Sequence, residues 1–150
     1  MKAKTLQRLI NWYPPYLGAG IQALYIAPDF LEVTVSMKLR FYNRNFVGTH
    51  FGGSLYAMID PFFMLMLLQH LGKTHWVWDQ AATIDFIKPG KGRVSATFQL
   101  DPHEIDRLRH ISKDGKPHRP IYTVDIMDED GDVVARAHKT LYVRQKSSSD

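Results

Sequence analysis

The chain has 150 residues and a mass of 17.3 kDa, and its 45% apolar and 12% aromatic content is enough to bury one sizeable core. These figures exclude a disordered, collagen-like or multidomain chain, and the absence of cysteine excludes a disulfide framework, a thiol nucleophile and a thiolate metal site. Nineteen basic residues against 15 acidic ones leave a net charge of +4 that is not gathered into a run, which favours an anionic small ligand over nucleic acid.

The first twenty residues predict a short helix and no targeting segment. They hold no uninterrupted apolar stretch followed by a small-residue cleavage site, as a signal peptide would. Residues Thr5 to Trp12 predict a helix, which the pair Pro14–Pro15 cannot continue. The lack of cysteine fits a reducing compartment, so we expect a cytoplasmic protein.

Alternation with a period of two predicts a first hairpin. From Leu31 to Arg40, apolar and polar residues alternate without a break, which is typical of a half-buried antiparallel strand. An earlier strand at about Ile21 to Ile26 precedes the turn at Pro28–Asp29. The two strands are therefore predicted to pair with each other.

The most hydrophobic segment, residues 51–71, predicts one long helix. It is apolar on nearly all sides and is followed by Gly72, which is typical of a helix buried in a core. Its length would also suit a membrane span. Because Asp60, Pro61 and Gln69 interrupt the apolar run, and one carboxylate in mid-membrane costs about 3 kcal/mol, the buried helix is favoured.

The second half of the chain predicts four strands and a short helix. Residues 82–86 and 94–100 alternate on either side of a Pro-Gly turn and predict a second hairpin. Asp101 and Pro102 open a short helix that Gly115 closes. The last two strands, at about 121–127 and 133–143, are joined by an acidic Asp-Gly turn, and the polar tail 145–150 is expected to fray.

Together these elements predict a single α+β domain over residues 1–150. It has about six antiparallel strands, with the long helix between the second and the third. A sheet whose apolar face must cover one helix will curl around it. That arrangement leaves a sheet edge and one helix end unprotected, so we expect pairing with a second copy of the chain.

The densest polar stretch of the chain leads into the predicted central helix and ends in Gly52–Gly53. Two glycines at a helix N-terminus leave backbone N–H groups uncovered, and the helix dipole adds partial positive charge there. Such groups suit an oxyanion, including the one that forms during acyl transfer. The alternative is a plain tight turn into the helix.

Asp60 lies among apolar neighbours that offer its carboxylate no partner. Burying an unpaired carboxylate is costly, so either a polar group from another segment or a second chain reaches Asp60, or it lines a wet cleft. In such a cleft it would serve as a general base or a nucleophile. The alternative is that Asp60 bonds the backbone beside Pro61.

The order Asn45-(x)6-Gly52-Gly53-(x)6-Asp60, within NFVGTHFGGSLYAMID, resembles the signature of hot-dog-fold acyl-CoA thioesterases of the phenylacetyl-CoA thioesterase type. The wider pattern of NWYPPYLGAG and FGGSLYAMIDP is most similar to an uncharacterised hot-dog group that is also found fused behind acetyltransferase domains. The resemblance implies the hot-dog fold, in which a curved antiparallel sheet wraps around one central helix. It also implies hydrolysis of an acyl-CoA or a related acyl thioester.

Carried over residue by residue, the resemblance implies a catalytic role for Asp60, which would activate a water molecule or attack the thioester itself. The N–H groups at Gly52 and Gly53 would polarise the thioester carbonyl. Asn45 would come from the facing subunit and orient the water and Asp60, so the site would exist only in a homodimer, which could pair further into a homotetramer. Coenzyme A would be part of the substrate, and no separate cofactor is expected.

The sequence departs from the family at one position. Phe51 stands before Gly52, where the family usually has histidine, and His50 lies one residue earlier. His50 either turns to take the place of the family histidine or faces solvent. Hot-dog dehydratases need an acid further along the helix, at a position that Met64 occupies here, so dehydration is disfavoured.

Several further residues are candidates for substrate binding. Helix residues such as Tyr56 and Phe63 would line an acyl tunnel or simply pack in the core. Asp79 would add a second acid to the cleft. Basic residues near strand ends would meet the phosphates of coenzyme A or form ordinary solvated surface. The whole candidate set is Phe51, Tyr56, Phe63, Asp79, Lys88, Lys91 and Arg93.

Two functions remain open from the sequence. The first is thioester hydrolysis at a dimer interface, and the second is binding of an acyl or lipid-like ligand without turnover. A purely structural dimer is a third reading. The histidines show no metal-binding spacing with an acidic partner, so no metal site is expected, and neither a nucleic-acid nor a membrane partner is expected.

Overall fold

The structure, a computed structural model, describes residues 1–147. In chain order its elements are α1 (Ala3–Asn11), α2 (Pro14–Ala19), β1 (Ile21–Ile26), β2 (Glu32–Lys38), α3 (Gly52–Ala57), α4 (Phe62–Leu71), β3 (His75–Phe86), β4 (Arg93–Gln99), α5 (Pro102–Ile111), a 3-10 turn (Ser112–Asp114), β5 (Ile121–Asp128) and β6 (Val133–Gln145). The α+β class and the strands foreseen from the sequence are confirmed.

The six strands form one antiparallel sheet in the order β1-β2-β4-β5-β6-β3. The hairpins β1–β2 and β5–β6 are as predicted. The predicted pairing of the third and fourth strands is wrong, because β3 pairs with β6 and β4 lies between β2 and β5. Alternation shows which face of a strand is buried, but not which strand lies beside it.

The segment Gly52–Leu71 is long and apolar enough to cross a membrane, but it is the core helix of this fold. Residues from both of its halves, including Leu55, Phe62 and Leu67, are buried in the core. The membrane alternative is therefore wrong. The single helix expected over residues 51–71 is interrupted at 58–61, before α4 begins. Pro61 has no backbone N–H to continue the helical ladder.

The N-terminal region holds two helices where one was predicted. Helix α1 spans Ala3–Asn11, close to the prediction of 5–12, but the proline pair that ends it also opens α2. Proline is favoured in the first turn of a helix, where its missing N–H has no intrahelical acceptor. Helix α2 ends at Gly20, whose φ of 76° is a left-handed conformation that glycine adopts without strain.

The two edges of the sheet differ in how they are protected. At the β1 edge, the Asn11 side chain bonds both the N–H and the carbonyl of Ala23, and Gln7 donates to the carbonyls of Ala23 and Leu24. Within residues 1–147, no comparable cover lies on the outer edge of β3, which pairs only with β6. A long open edge is where a sheet accepts a strand from another chain.

The C-terminal third begins as predicted. Asp101 caps α5 by accepting a hydrogen bond from the His103 N–H at 2.8 Å, and Gly115 ends the 3-10 turn with a φ of 71°. Strand β6 continues to Gln145. The fraying expected of the tail 145–150 is wrong for its first residues, because Gln145 belongs to β6 and the Lys146 N–H donates to the Thr74 carbonyl at 2.9 Å. Residues 148–150 lie outside the described part of the chain.

Candidate active site

A buried lysine, which the sequence reasoning missed, lies at the centre of the polar cluster around Asp60. Lys139 Nζ lies 2.8 Å from Asp60 Oδ1 and 3.1 Å from Asp79 Oδ1, and it donates to the Tyr56 hydroxyl at 3.2 Å. The Tyr56 hydroxyl in turn donates to the same Asp60 oxygen at 2.8 Å. The polar group from another segment that the sequence called for is therefore Lys139.

Four elements bring this cluster together. Tyr56 lies on α3, Asp60 in the interruption before α4, Asp79 on β3 and Lys139 on the neighbouring strand β6. On β6 the buried positions recur at every second residue, and Lys139 occupies one of them between Ala137 and Leu141. A lysine at an inward position of an alternating strand was the sequence signal that could have revealed it.

Burial and neighbouring charges shift the pKa values of the groups in this cluster. Burial alone would lower the pKa of Lys139, but the hydrogen bond with Asp60 and the negative charge of Asp79 raise it above its ordinary value. Burial raises the pKa of the Asp79 carboxyl, against the opposing effect of Lys139. Burial, together with the bond to Asp60, also raises the pKa of the Tyr56 hydroxyl. Lys139 is thus a cation and Tyr56 a neutral donor at neutral pH.

The Asp60 carboxylate is held at one oxygen and open at the other. Lys139 and Tyr56 both contact Oδ1, and no residue within 1–147 donates a hydrogen bond to Oδ2. The side chain is 46% exposed and lines a cavity of about 470 Å³. The other lining residues are Ile10, Tyr13, Pro15, Tyr16, Tyr56, Ala57, Pro61 and Leu65. Asp60 is therefore held through Oδ1 at the wall of a largely apolar cavity, and its Oδ2 accepts no hydrogen bond from residues 1–147.

A second cavity, of about 310 Å³, is lined by three of the other predicted catalytic residues, and Gly53 is not among its lining residues. Asn45, His50 and Gly52 line it together with Phe86 and Gly90. Gly52 packs so closely under Phe86 that an added Cβ would lie 3.0 Å from the ring, and a Cβ on Gly53 would lie 2.5 Å from Phe51. A side chain at Gly53 would therefore displace the exposed Phe51 ring, and one at Gly52 would press on the exposed Phe86 ring. This cavity and the Asp60 cavity share no lining residue.

Asn45 uses its whole hydrogen-bonding capacity within its own loop. Its Oδ1 accepts from the N–H groups of Val47 and Thr49, and its Nδ2 donates to Thr49 Oγ1 and to the His50 carbonyl. An amide side chain has two donors and two acceptor positions, all of which are taken. In this chain Asn45 therefore shapes the loop that leads to Gly52, rather than offering a free amide.

His50 does not face solvent, which was one of the two orientations considered from the sequence. It is buried, and its Nε2 lies 3.0 Å from the Gly92 carbonyl, to which it donates. Its Nδ1 is buried without a partner in the described residues. Burial lowers the pKa of His50, so the ring is neutral at physiological pH.

The predicted substrate-binding residues fall in several places. Tyr56 and Asp79 belong to the Lys139 cluster, and Phe51 is exposed at the start of α3. Phe63 is buried and packs against Phe98 and Tyr122, as the core-packing alternative required.

The three basic candidates lie near the ends of strands. Lys88 Nζ lies 2.7 Å from both Asp128 and Asp132, so its charge is already compensated. Arg93 donates to the Ser36 hydroxyl at 3.3 Å, and Lys91 is exposed.

A serine–histidine pair elsewhere in the fold has the wrong geometry for a nucleophile. Ser112 Oγ lies 2.8 Å from His75 Nε2, but it is fully buried and donates its proton to the Leu108 carbonyl. Its hydroxyl is therefore neither free nor accessible. Within residues 1–147 no group of three or more histidine, aspartate or glutamate side chains is placed to hold a metal ion.

A family model described as a domain of unknown function, DUF4442, matches residues 2–143. No curated protein matches the sequence.

Solved structures share the fold. A Pseudomonas aeruginosa protein described as of unknown function and a probable thioesterase has a TM-score of 0.86 at 20% identity, over 97% of each chain. A Haemophilus influenzae thioesterase has a TM-score of 0.69 at 16% identity, over 97% of this chain and 92% of its own. A mutant of the phenylacetic acid degradation protein PaaI from Thermus thermophilus has a TM-score of 0.60 at 23% identity, over 88% of this chain and 99% of its own. These likenesses establish the hot-dog fold.

Replacing the buried lysine should destabilise the protein through the acids it leaves behind. Lys139→Met should lower the free energy of unfolding by about 3 kcal/mol, because two carboxylates lose their cation. The triple variant Lys139→Met/Asp60→Asn/Asp79→Asn should recover much of that loss. Urea unfolding measures both, with the exposed Lys73→Met as control. A loss that the triple variant does not reduce would mean that packing, not charge, is responsible.

The buried histidines should make stability depend on pH. Because burial lowers the pKa of His50 and of His75, the unfolded chain binds more protons than the folded one near pH 6. Their contribution is present above the unfolded pKa of about 6.5 and is lost as the pH falls towards the folded values. Urea unfolding of His50→Gln should therefore show a shallower loss of stability between pH 7.5 and 5.5 than the wild type. Equal slopes for the wild type, His50→Gln and the exposed-residue control His103→Gln would contradict this expectation.

Proposed function

The chain belongs to the DUF4442 family, and we propose that it hydrolyses acyl thioesters at a site completed by a second copy of the chain. The observation that carries this proposal is the free Oδ2 of Asp60, held by Lys139 and Tyr56 at the wall of an apolar cavity. The thioesterases among the structural relatives lend support at the level of the fold.

Asp60 supplies the base or the nucleophile of this reaction. As a base, Oδ2 takes a proton from a water molecule, and the resulting hydroxide attacks the thioester carbonyl carbon. The tetrahedral intermediate then expels the thiolate, which takes the proton back, and the products are a carboxylic acid and a thiol. As a nucleophile, Oδ2 attacks the same carbon and expels the thiolate, which leaves a mixed anhydride. Water hydrolyses the anhydride to the acyl carboxylic acid and protonated Asp60, and Asp60 then returns its proton to the thiolate. Lys139 and Tyr56 fix the carboxylate orientation for either course.

The thioester carbonyl oxygen requires hydrogen-bond donors, which we propose lie outside the Asp60 cavity. Gly52 and Asp60 are eight residues apart on the central helical segment, which corresponds to about 12 Å at the helical rise. Because they line separate cavities, the N–H groups at the Gly52 turn of one chain are proposed to serve Asp60 of the other. Asn45 is then a positioning residue that fixes the loop before that turn. The open edge of β3 supports such a homodimer.

The acyl group is proposed to occupy the Asp60 cavity. Its walls are aromatic and aliphatic, and they include Tyr13 from the α1–α2 connection, Tyr16 from α2 and Leu65 from α4. The Tyr16 hydroxyl is engaged with the Ala57 carbonyl at 2.9 Å, so its ring presents mainly carbon surface. An apolar cavity beside one polar group is the common form of a small-molecule site.

Binding without turnover is the second candidate. Phe51 stands where the similar thioesterases usually have histidine, and the nearby His50 is engaged with Gly92. The thioester carbonyl would then lack the polar contact of a histidine at this position. This candidate predicts affinity for acyl ligands together with the absence of hydrolysis.

Substituting the acid separates the two candidates. Asp60→Asn should lower the turnover of acyl-CoA thioesters by about 100-fold to 10,000-fold, the usual contribution of a general base, while changing ligand affinity only a few-fold. Thiol release is measured for short, medium, long and aromatic acyl groups, with the exposed Asp85→Asn as control. If neither the wild type nor Asp60→Asn cleaves any member of the panel but both bind acyl ligands, the binding protein is the correct assignment.

Mixed dimers test whether the site is shared. Asn45→Ala and Asp60→Asn chains should each be inactive alone, and subunit exchange should restore activity. Random mixing leaves one intact site in each mixed dimer, so recovery should approach about a quarter of the wild-type rate. Subunit exchange is verified independently by mass spectrometry. No recovery in verified mixed dimers would mean that both residues act within one chain.

A further inference from the structure

The loop between β2 and α3, residues 39–51, combines exposed aromatic and basic side chains without any acid. Residues 33–59 hold Lys38, Arg40 and Arg44 but no aspartate or glutamate. All three cations are exposed, and none forms an ion pair with another residue in 1–147. The positive charge of this region is therefore uncompensated within the chain.

This loop also encloses a cavity of about 510 Å³. Its lining residues are Phe41, Arg44, Asn45, Phe46 and Phe51. The three phenylalanines are 83%, 112% and 56% exposed, respectively, which is unusual for rings of this size in a folded domain. Aromatic rings beside a free guanidinium are the groups that bind a nucleobase by stacking and a phosphate by paired hydrogen bonds.

The loop is held in shape before any ligand binds. Arg44 and His50 form an isolated antiparallel bridge, and the Asn45 side chain makes four hydrogen bonds across the turn between them. Gly48 closes that turn with a φ of 80°. Asn45 lines both this cavity and the Gly52 cavity, and Phe51 directly precedes Gly52, so the aromatic rings lie beside the glycine turn.

The other basic candidates are less available for phosphate. Lys88 is compensated by Asp128 and Asp132. Lys38, by contrast, lies directly opposite Arg93 on the adjacent strand β4. Like charges in register repel each other, and an anion at this end of the sheet relieves that repulsion.

We propose that residues 39–51 bind the adenine nucleotide portion of coenzyme A, with the purine stacked on the phenylalanine rings and a phosphate on Arg44. This inference rests on the proposed function in naming coenzyme A, and it deepens it by selecting acyl-CoA over acyl carrier proteins as the substrate. A carrier protein presents the acyl group on a phosphopantetheine arm, which has no purine to stack.

Binding measured without turnover tests the inference. Calorimetry on the full-length Asp60→Asn protein compares coenzyme A, adenosine 3′,5′-bisphosphate, phosphopantetheine and pyrophosphate. Coenzyme A should bind at least about tenfold more tightly than phosphopantetheine, and the bisphosphate should bind more tightly than pyrophosphate. Arg44→Gln and Phe46→Ala should each weaken both adenine nucleotides by about tenfold. Arg8→Gln and Tyr25→Ala replace an exposed arginine and an exposed aromatic residue outside this loop, and they should leave the affinities unchanged.

Three results would overturn the inference. One is equal affinity for coenzyme A and phosphopantetheine. Another is equal affinity for the bisphosphate and pyrophosphate, which would reveal an anion site without purine recognition. The third is dissociation of the oligomer by Phe46→Ala, seen by sedimentation, with nucleotide affinity unchanged, which would assign the rings to a contact between copies.

The inference and the proposed function can fail separately. If acyl-pantetheine thioesters are cleaved with the same KM as acyl-CoA, the proposed hydrolysis is supported and the nucleotide site is contradicted. If adenine nucleotides bind as described but the wild type cleaves no thioester, the nucleotide site is supported and the proposed hydrolysis is contradicted.

Discussion

A buried ammonium group between two carboxylates is the interaction on which the proposed site depends. Lys139 is fully removed from solvent, and such a cation is tolerated only when acids and hydrogen-bond acceptors surround it. Asp60, Asp79 and the Tyr56 hydroxyl provide that environment. The same contacts hold Asp60 through Oδ1 and leave Oδ2 without a donor among the described residues. The interaction that makes the buried lysine tolerable therefore also orients the acid.

The position of the cluster agrees with the proposal that two chains form each site. The acid and its apolar cavity lie where the central helical segment is interrupted, whereas the glycine turn and the Asn45 loop lie at its beginning. A two-fold assembly can bring the beginning of one helix to the middle of the other. The β1 edge of the sheet is covered by side chains of α1, and the open edge is on β3, which carries Asp79. Assembly through β3 would thus take place beside the Lys139 cluster.

The sequence predicted the helices and strands better than it predicted which strands lie side by side. Period-two alternation located the strands, and an apolar run located the core helix, because buried positions carry apolar residues at the period of the element. No such pattern indicates the order of strands in a sheet, so the pairing of β3 with β6 was missed. Asp60 was recognisable as an acid in apolar surroundings, but its partner Lys139 is 79 residues away in sequence. The internal bonds of Asn45 and the burial of His50 depend on loop geometry, which residue types alone do not specify.

The most direct measurement of the central claim is a crystal structure of the protein with a ketone analogue of an acyl-CoA, in which a methylene group replaces the thioester sulfur. The account predicts that the ketone carbonyl carbon lies about 3–3.5 Å from Asp60 Oδ2, or is reached from it through one bound water, with the carbonyl oxygen on backbone N–H groups of the partner's glycine turn. Lys139 should keep its contact with Oδ1. An acyl group bound away from Asp60, or an Oδ2 occupied by a protein donor in the complex, would contradict the account.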